Sequence, residues 1–365
     1  MTIGLPQELI EEILDHLAGD SGSLKACSLV CRAWVSRSRS HLFKTCTLVP
    51  DNILGFCELL RSPGGCTFIP HVCGIHADHH YWDLDDCRFN TITADLRRLT
   101  HVTALELAFY VRADHTRANP WYRSDFVTAF PHVTRVGISC DSGGPPAPVI
   151  DTICLFPALQ ELHIHHVAGS VAVPSATAVP PQGLHSLKLS ANSPGPVLAW
   201  LHAFDRLPMV DSVALPVLQH QDAPIACAAF QQLGDSLRHL DITLTSILGD
   251  FDVDPLTVYD FSLHPNLITL IIRDFSPYVS NDSDPSRMMG LITRLAAPAL
   301  ESLSIDFDPT LWVFDWRALD AFLSRARFPH LQKVLFRCND DQFQFLQVLL
   351  PQLEVSGVLG IMPFK

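Results

Sequence analysis

The stretch Pro298–Ile305, PALESLSI, carries three apolar residues, Leu300, Leu303 and Ile305, in the order Pro-x-Leu-x-x-Leu-x-Leu. Leu303 and Ile305 are one residue apart, the alternation of a short strand with a single buried face. Pro298 lacks the amide donor that would extend a helix, so it ends one and hands the chain to the strand. One such unit cannot bury its apolar face alone; it needs a copy on each side.

The copies are present. The same three apolar positions fall at Val72/Ile75/Ala77, Val102/Leu105/Leu107, Val133/Val136/Ile138, Leu159/Leu162/Ile164 and Leu184/Leu187/Leu189. They continue at Val210/Val213/Leu215, Leu237/Leu240/Ile242, Leu267/Leu270/Ile272 and, after Leu300, at Leu331/Val334/Phe336. Successive first positions are 25 to 33 residues apart, and a last copy is expected from Leu353. A proline stands two residues ahead at Pro70, Pro131, Pro157, Pro208, Pro265, Pro298, Pro329 and Pro351. The segments between read as helices at Pro196–Leu207, Ile225–Leu233, Ser286–Ala296 and Trp316–Phe328. Asp141–Pro148 and Pro174–Pro181 read as exposed connections, and Asp250–Asp260 and Ser276–Pro285 as acidic, turn-rich segments. The phrase resembles degenerate leucine-rich repeats. The resemblance implies an α/β chain: an irregular solenoid over residues 49–365 with a parallel sheet on its concave face. The asparagine expected three positions after the third apolar residue survives only as Asn192 and Asn339, which predicts irregular curvature.

Residues 1–48 are different. Leu5–Trp34 reads LPQELIEEILDHLAGDSGSLKACSLVCRAW. Leu9, Ile10, Ile13, Leu14 and Leu17 share one helical face. Pro6 suits a first helical position, and Glu8, Glu11 and Glu12 sit near the positive end of the helix dipole. Gly19–Ser23 breaks the pattern. Ser23 is the expected N-cap of a second helix with Leu24, Cys27, Cys31 and Trp34 on one face. Helices this short need a partner, either the rest of the chain or another protein. Leu5-Pro6, Glu8-Leu9-Ile10, Ile13-Leu14, Leu17, Leu24, Cys27–Arg32 and Trp34, followed by His41-Leu42-Phe43, resemble an F-box in order and spacing. A helical bundle over 1–48 is expected. The combination is similar to the F-box and leucine-rich-repeat proteins of eukaryotes, fungal ones among them.

Composition narrows the function. The net charge is −13, a poor match for nucleic acid or an anionic membrane surface. Residues 1–48 are neutral, with five acids and five bases, while 240–320 hold thirteen acids against four bases. No signal peptide is visible. Phe345–Phe364 reads as a capping helix plus strand, since Gln347, Gln352 and Glu354 interrupt it. Eleven scattered cysteines imply reduced thiols and an intracellular, cytoplasmic or nuclear chain.

Catalytic and metal chemistry find no constellation. Cys66, His71, Cys73, His76, His79, His80, Asp83, Asp85, Asp86 and Cys87 crowd one segment but match no zinc spacing. His163 and His165 alternate with Leu162 and Ile164 as the open face of a strand. Asp306 and Asp308 share a strand face and need only water. No phosphate loop, nucleophile elbow or dinucleotide fingerprint occurs. No cofactor, no metal and no enzymatic activity are expected.

The F-box resemblance implies a substrate-recognition adaptor that docks on the Skp adaptor, and through it a cullin, of a Skp–cullin–F-box ubiquitin ligase. Leu5, Pro6, Leu9, Ile10, Ile13, Leu14, Val30 and Trp34 match the motif for that partner. Leu5, Pro6 and some helix residues are expected to touch it, and others, Trp34 among them, to hold the hairpin together. The repeats would bind a target protein through residues flanking the buried strand positions: His76, Glu106, His163, His165, Lys188, Asp241, Arg273, Asp306 and Arg337. The alternative is a non-ligase repeat scaffold whose hairpin caps the first repeat. It requires Leu9 and Ile13 to be buried against residues near Leu48–Leu60.

Overall fold

The computed structural model describes residues 6–49, 51–62, 67–79, 92–111, 124–142, 146–245, 254–274, 286–306, 315–337 and 340–362. They belong to two units, Met1–Leu159 and Gln160–Lys365.

The first unit opens with three helices, α1 (Gln7–His16), α2 (Ser21–Cys27) and α3 (Arg32–Leu42). Strand β1 (Thr45–Leu48) follows directly, so the sheet starts inside residues 1–48. β2 (Gly74–His79), β3 (Ala104–Val111) and β4 (Arg135–Ser142) add to it in chain order, all parallel. Leu105 pairs with Ile75 on one side and Val136 on the other; Leu107 does the same with Ala77 and Ile138. Parallel neighbours need a crossover, here a helix such as Ile53–Arg61 or a shorter turn.

The second unit repeats the plan with β5 (Glu161–Val167), β6 (Ser186–Lys188), β7 (Ser212–Leu215), β8 (His239–Thr245), β9 (Thr269–Asp274), β10 (Ser302–Asp306), β11 (Lys333–Arg337) and β12 (Leu359–Met362). Leu162, Leu187, Val213, Leu240, Leu270, Leu303 and Val334 form one continuous register row. Helices Pro194–Ala203, Ala223–Leu233, Ser286–Thr293 and Trp316–Phe322 occupy the expected segments. The architecture is a leucine-rich-repeat-like parallel sheet with helical crossovers. All thirty apolar positions of the ten complete copies are buried, none more than 5% exposed. Each such burial is worth about 1.5–3 kcal/mol before entropy is charged against it. A period of two residues on the strands thus dictates both the register and the core.

Four expectations need correction. Leu353 does not open the last copy: it lies in the helix Pro351–Val355, and Leu359 and Ile361 take the places beside Val334 and Phe336. Pro351 starts that helix instead of ending one. Asp320 accepts hydrogen bonds from the amides of Gln352 and Leu353, both at 3.0 Å, which caps the helix. Pro174–Pro181 is exposed only in part; Ala178, Pro180 and Pro181 are buried, and Trp200 Nε1 donates to the Ala178 carbonyl at 2.7 Å. Asp141 and Ser142 belong to β4. In the acidic segment near Asp254–Asp260 the carboxylates act as caps, accepting from Leu256 N and Ser262 N. Asn192 keeps the ladder role. It adopts φ 67°, donates to the Val167 carbonyl at 2.9 Å and accepts from Gln219 Nε2 at 2.6 Å. Asn339, Ser276–Pro285 and most of the Cys66–Cys87 cluster lie outside the described residues. No group of three or more metal-ligating side chains forms among the described residues, and none of their helices is long and apolar enough to cross a membrane.

Candidate functional site: the helical hairpin and the strand faces

The hairpin has a core of its own. Ile10, Leu14 and Leu24 are buried together, with Leu17, Cys27, Trp34 and Leu42 packed around them. Asp15 ties α1 to α3: Arg37 donates through Nε and Nη2 to its two oxygens, each at 2.6 Å, and His41 Nε2 lies 2.7 Å from Oδ1. The Arg37 guanidinium, helped by His41, holds the Asp15 carboxyl well below the usual carboxylate range. Asp20, not Ser23, is the cap of α2. It accepts from the amides of Gly22 and Ser23 at 3.0 Å, and the Ser23 hydroxyl donates to its other oxygen at 2.6 Å. A carboxylate reaches two amides at once and leaves Ser23 a donor's role.

The helix after Ser23 does not run to Trp34. It ends at Cys27, and Cys31 is extended (φ −160°, ψ 166°) before α3 begins. Cys31 is therefore exposed rather than on a shared buried face with Cys27. The break lifts Leu29 and Val30 onto a turn, where they are 86% and 65% exposed. On α1, Leu9 and Ile13 are 46% and 42% exposed. Pro6 is also exposed, and Leu5 lies outside the described residues. Of the residues matching the motif, Ile10, Leu14 and Trp34 thus serve the hairpin's interior, and Pro6, Leu9, Ile13 and Val30 face outward. Leu29, part of the motif match but not of the expected adaptor contacts, stands open beside Val30 because the turn there is not helical.

The hairpin is anchored to the first repeat. Phe43 and Phe68 stack at 5.0 Å and Phe56 and Phe68 at 5.9 Å between centroids. Arg39 Nη1 donates to Thr67 Oγ1. Even so, Leu9 and Ile13 stay open and are not buried as the capping alternative requires.

The strand-face residues fall into two sets. In the first unit, His76 is half-buried and Glu106 lies across Gly137, its register partner. A Cβ on Gly137 would come 1.5 Å from Glu106 Oε2, so the Glu106 carboxylate rests where a side chain at 137 would stand and would have to swing away from one. In the second unit, His163 and His165 meet edge to face at 6.1 Å, and Lys188 is exposed. Asp241, Arg273, Asp306 and Arg337 pair with one another: Arg273 donates to Asp241, and Arg337 Nη1 sits 3.0 Å from Asp306. Asp306 does not rest in water as expected; it is 4% exposed beneath the two arginines. Burial pushes its carboxyl above the ordinary value, and the arginines pull the other way.

Residues 3–46 match the family model for the F-box domain. The chain carries an F-box domain over these residues. F-box domains bind the Skp adaptor, and an F-box supports a role in substrate recognition by Skp–cullin–F-box ubiquitin ligases in general. A comparison of the chain with curated proteins found no match. Among solved structures it is similar to a protein from Bacteroides fragilis at 14% identity, over 87% of this chain and 73% of that one, with a TM-score of 0.41. It is also similar to human trophoblast glycoprotein (Wnt-activated inhibitory factor 1) at 18% identity, over 79% and 78% of the chains, with a TM-score of 0.25.

Proposed function

We propose that this chain is a non-catalytic substrate receptor of a Skp–cullin–F-box ubiquitin ligase, at work in the cytoplasm or nucleus. Residues 1–48 bind the Skp adaptor, and the repeats over 49–365 hold a target protein. One observation carries this reading: Leu9, Ile13, Leu29 and Val30 stay exposed on a hairpin whose core is already complete. Four large aliphatic side chains on so small an element are surface left for a partner. Ile10, Leu14 and Trp34 support the site by holding its frame, and Leu5 precedes it in the chain. The target would be presented by proximity: holding a lysine near the conjugating enzyme raises its effective concentration without any group on this chain taking part in the chemistry. The strand-face residues His76, Glu106, His163, His165 and Lys188, with the ion-paired row, are the proposed target contacts.

The test is co-expression with the Skp adaptor followed by size-exclusion chromatography. A one-to-one complex is expected, lost in Leu9→Asp and Val30→Asp while both variants keep the wild-type melting transition. A well-folded chain that forms no complex would return the assignment to a free scaffold.

A further inference from the structure

Each repeat of the first unit turns into its strand through a short loop, and these loops form one edge of the sheet. The turn is the same each time. The amides of Cys73 and Gly74 both reach the Lys44 carbonyl, at 2.9 Å; those of Thr103 and Ala104 reach Cys73, at 2.9 and 3.1 Å; those of Thr134 and Arg135 reach Thr103, at 2.9 and 3.0 Å. Equivalent residues of successive loops therefore stand one strand spacing apart, about 4.8 Å. His71, His101 and His132 occupy one such position, each directly before the buried Val72, Val102 or Val133. Lys44 and, six and five residues ahead of Thr103, Arg97 and Arg98 are exposed in the segments that lead into β1 and β3.

No Asp or Glu occurs in 42–44, 67–73, 97–103 or 128–134, although the whole chain has 38 acids against 25 bases. The carboxylate nearest in sequence, Asp95, is already held by Arg61 through Nε at 2.9 Å and Nη2 at 2.6 Å. The corresponding loops of the second unit are mixed, with Asp205, Arg206, Asp211, Asp235 and Arg238 among them. The first unit thus carries a cationic strip on a chain of net charge −13. Charge complementarity calls for an anionic occupant. Nucleic acid is the poorer fit. Single-stranded nucleic acid is held largely by stacking its bases on exposed aromatics, and among the described residues of these loops Phe130 is buried while Phe68 packs against Phe43 and Phe56.

We propose that this edge docks an acidic segment of a partner protein. It uses none of the exposed aliphatic residues of the hairpin, so it stands or falls apart from the adaptor reading. The test is fluorescence anisotropy of a labelled oligo-glutamate peptide on the full chain at low salt. Binding is expected, weakening as salt rises, and falling about tenfold in Lys44→Ser/Arg97→Ser/Arg98→Ser. The control Arg206→Ser/Arg238→Ser/Arg317→Ser removes as much charge elsewhere and should bind as wild type. If the first triple variant melts early, single Arg97→Glu and Arg98→Glu substitutions read the same loss. Absence of peptide binding, or equal losses in both triple variants, overturns the proposal. Single-stranded DNA that competes as tightly through the same residues overturns the assignment to a protein partner.

Discussion

Leu105 and Ile13 are both aliphatic residues on regular elements, and both belong to the first unit. Leu105 is sealed between Ile75 and Val136. Ile13 is 42% exposed on a helix whose other face is packed. In the ten complete copies every apolar position has a copy of itself on a neighbouring strand, so burial is satisfied within the chain. The hairpin has no copy to stack on. Its open apolar surface is the basis of the interaction site proposed there rather than on the repeat core.

That contrast can be broken by mutation. Leu105→Ala should cost about 3 kcal/mol in denaturant unfolding, because it opens a cavity between fixed strands. Ile13→Ala should cost no more than about 1 kcal/mol of stability while weakening the adaptor complex about tenfold or more in calorimetry. If the two substitutions cost the same stability, Ile13 is core and the hairpin site is wrong.

A second difference concerns buried and open charge. His264 is fully buried, with Nδ1 2.8 Å from the Gly234 carbonyl and Nε2 without a hydrogen-bond partner. Burial pulls its pKa below the ordinary 6.5, against the weaker pull of the Gly234 carbonyl and of Asp260 and Asp235. A group kept neutral by the fold stabilises fully above 6.5, and that contribution is lost as pH falls toward its lowered folded value. His264→Phe should flatten the fall in melting temperature below pH 6.5; an unchanged slope would exclude His264 as its source. Asp15, in an open setting, is held by the fold in its charged form, yet its contribution is lost in the same direction of pH. Its depressed carboxyl contributes above the ordinary aspartate range, and the contribution is lost as pH falls through and below about 4. Asp15→Asn should lower stability at neutral pH and converge with wild type in strong acid. The gap at neutral pH should shrink with added salt, because the pair is solvent-exposed.

The smallest effect is expected at Ser38. Its hydroxyl is buried on α3 without a hydrogen-bond partner. Ser38→Ala should leave stability unchanged or raise it by up to about 1 kcal/mol; a clear loss would mean that a partner for the hydroxyl forms in solution.

Much of this was legible beforehand. The repeat phrase placed ten strands and their recurrent apolar core positions, because period two on a strand has one reading once a neighbour repeats it, but it did not reach the further buried residues Cys140, Val167 and Asp306 on the same strands. It failed at Leu353, where the copy lacks a strong second apolar residue and an acid from the previous repeat, Asp320, captures the segment as a helix. In the hairpin, the amphipathic face of α1 was readable, but the break at Ser28–Cys31 was not. Helical spacing alone allows Leu24, Cys27, Cys31 and Trp34 to share one face.

By itself the sequence determined which residues seek burial, the strand register and the F-box signature. Those follow from periodicity and local chemistry, which need no distant partner. Tertiary structure alone decided which helices of the hairpin are tied together, which carboxylates reach arginines or amides of another repeat, and which loops come to lie side by side. Each of these depends on groups some 20 to 35 residues away being brought within a few ångströms, as Asp15 is to Arg37, Asp306 to Arg337 and Gln352 to Asp320. Spacing along the chain does not encode such distances; packing of the hairpin helices and stacking of the repeats create them.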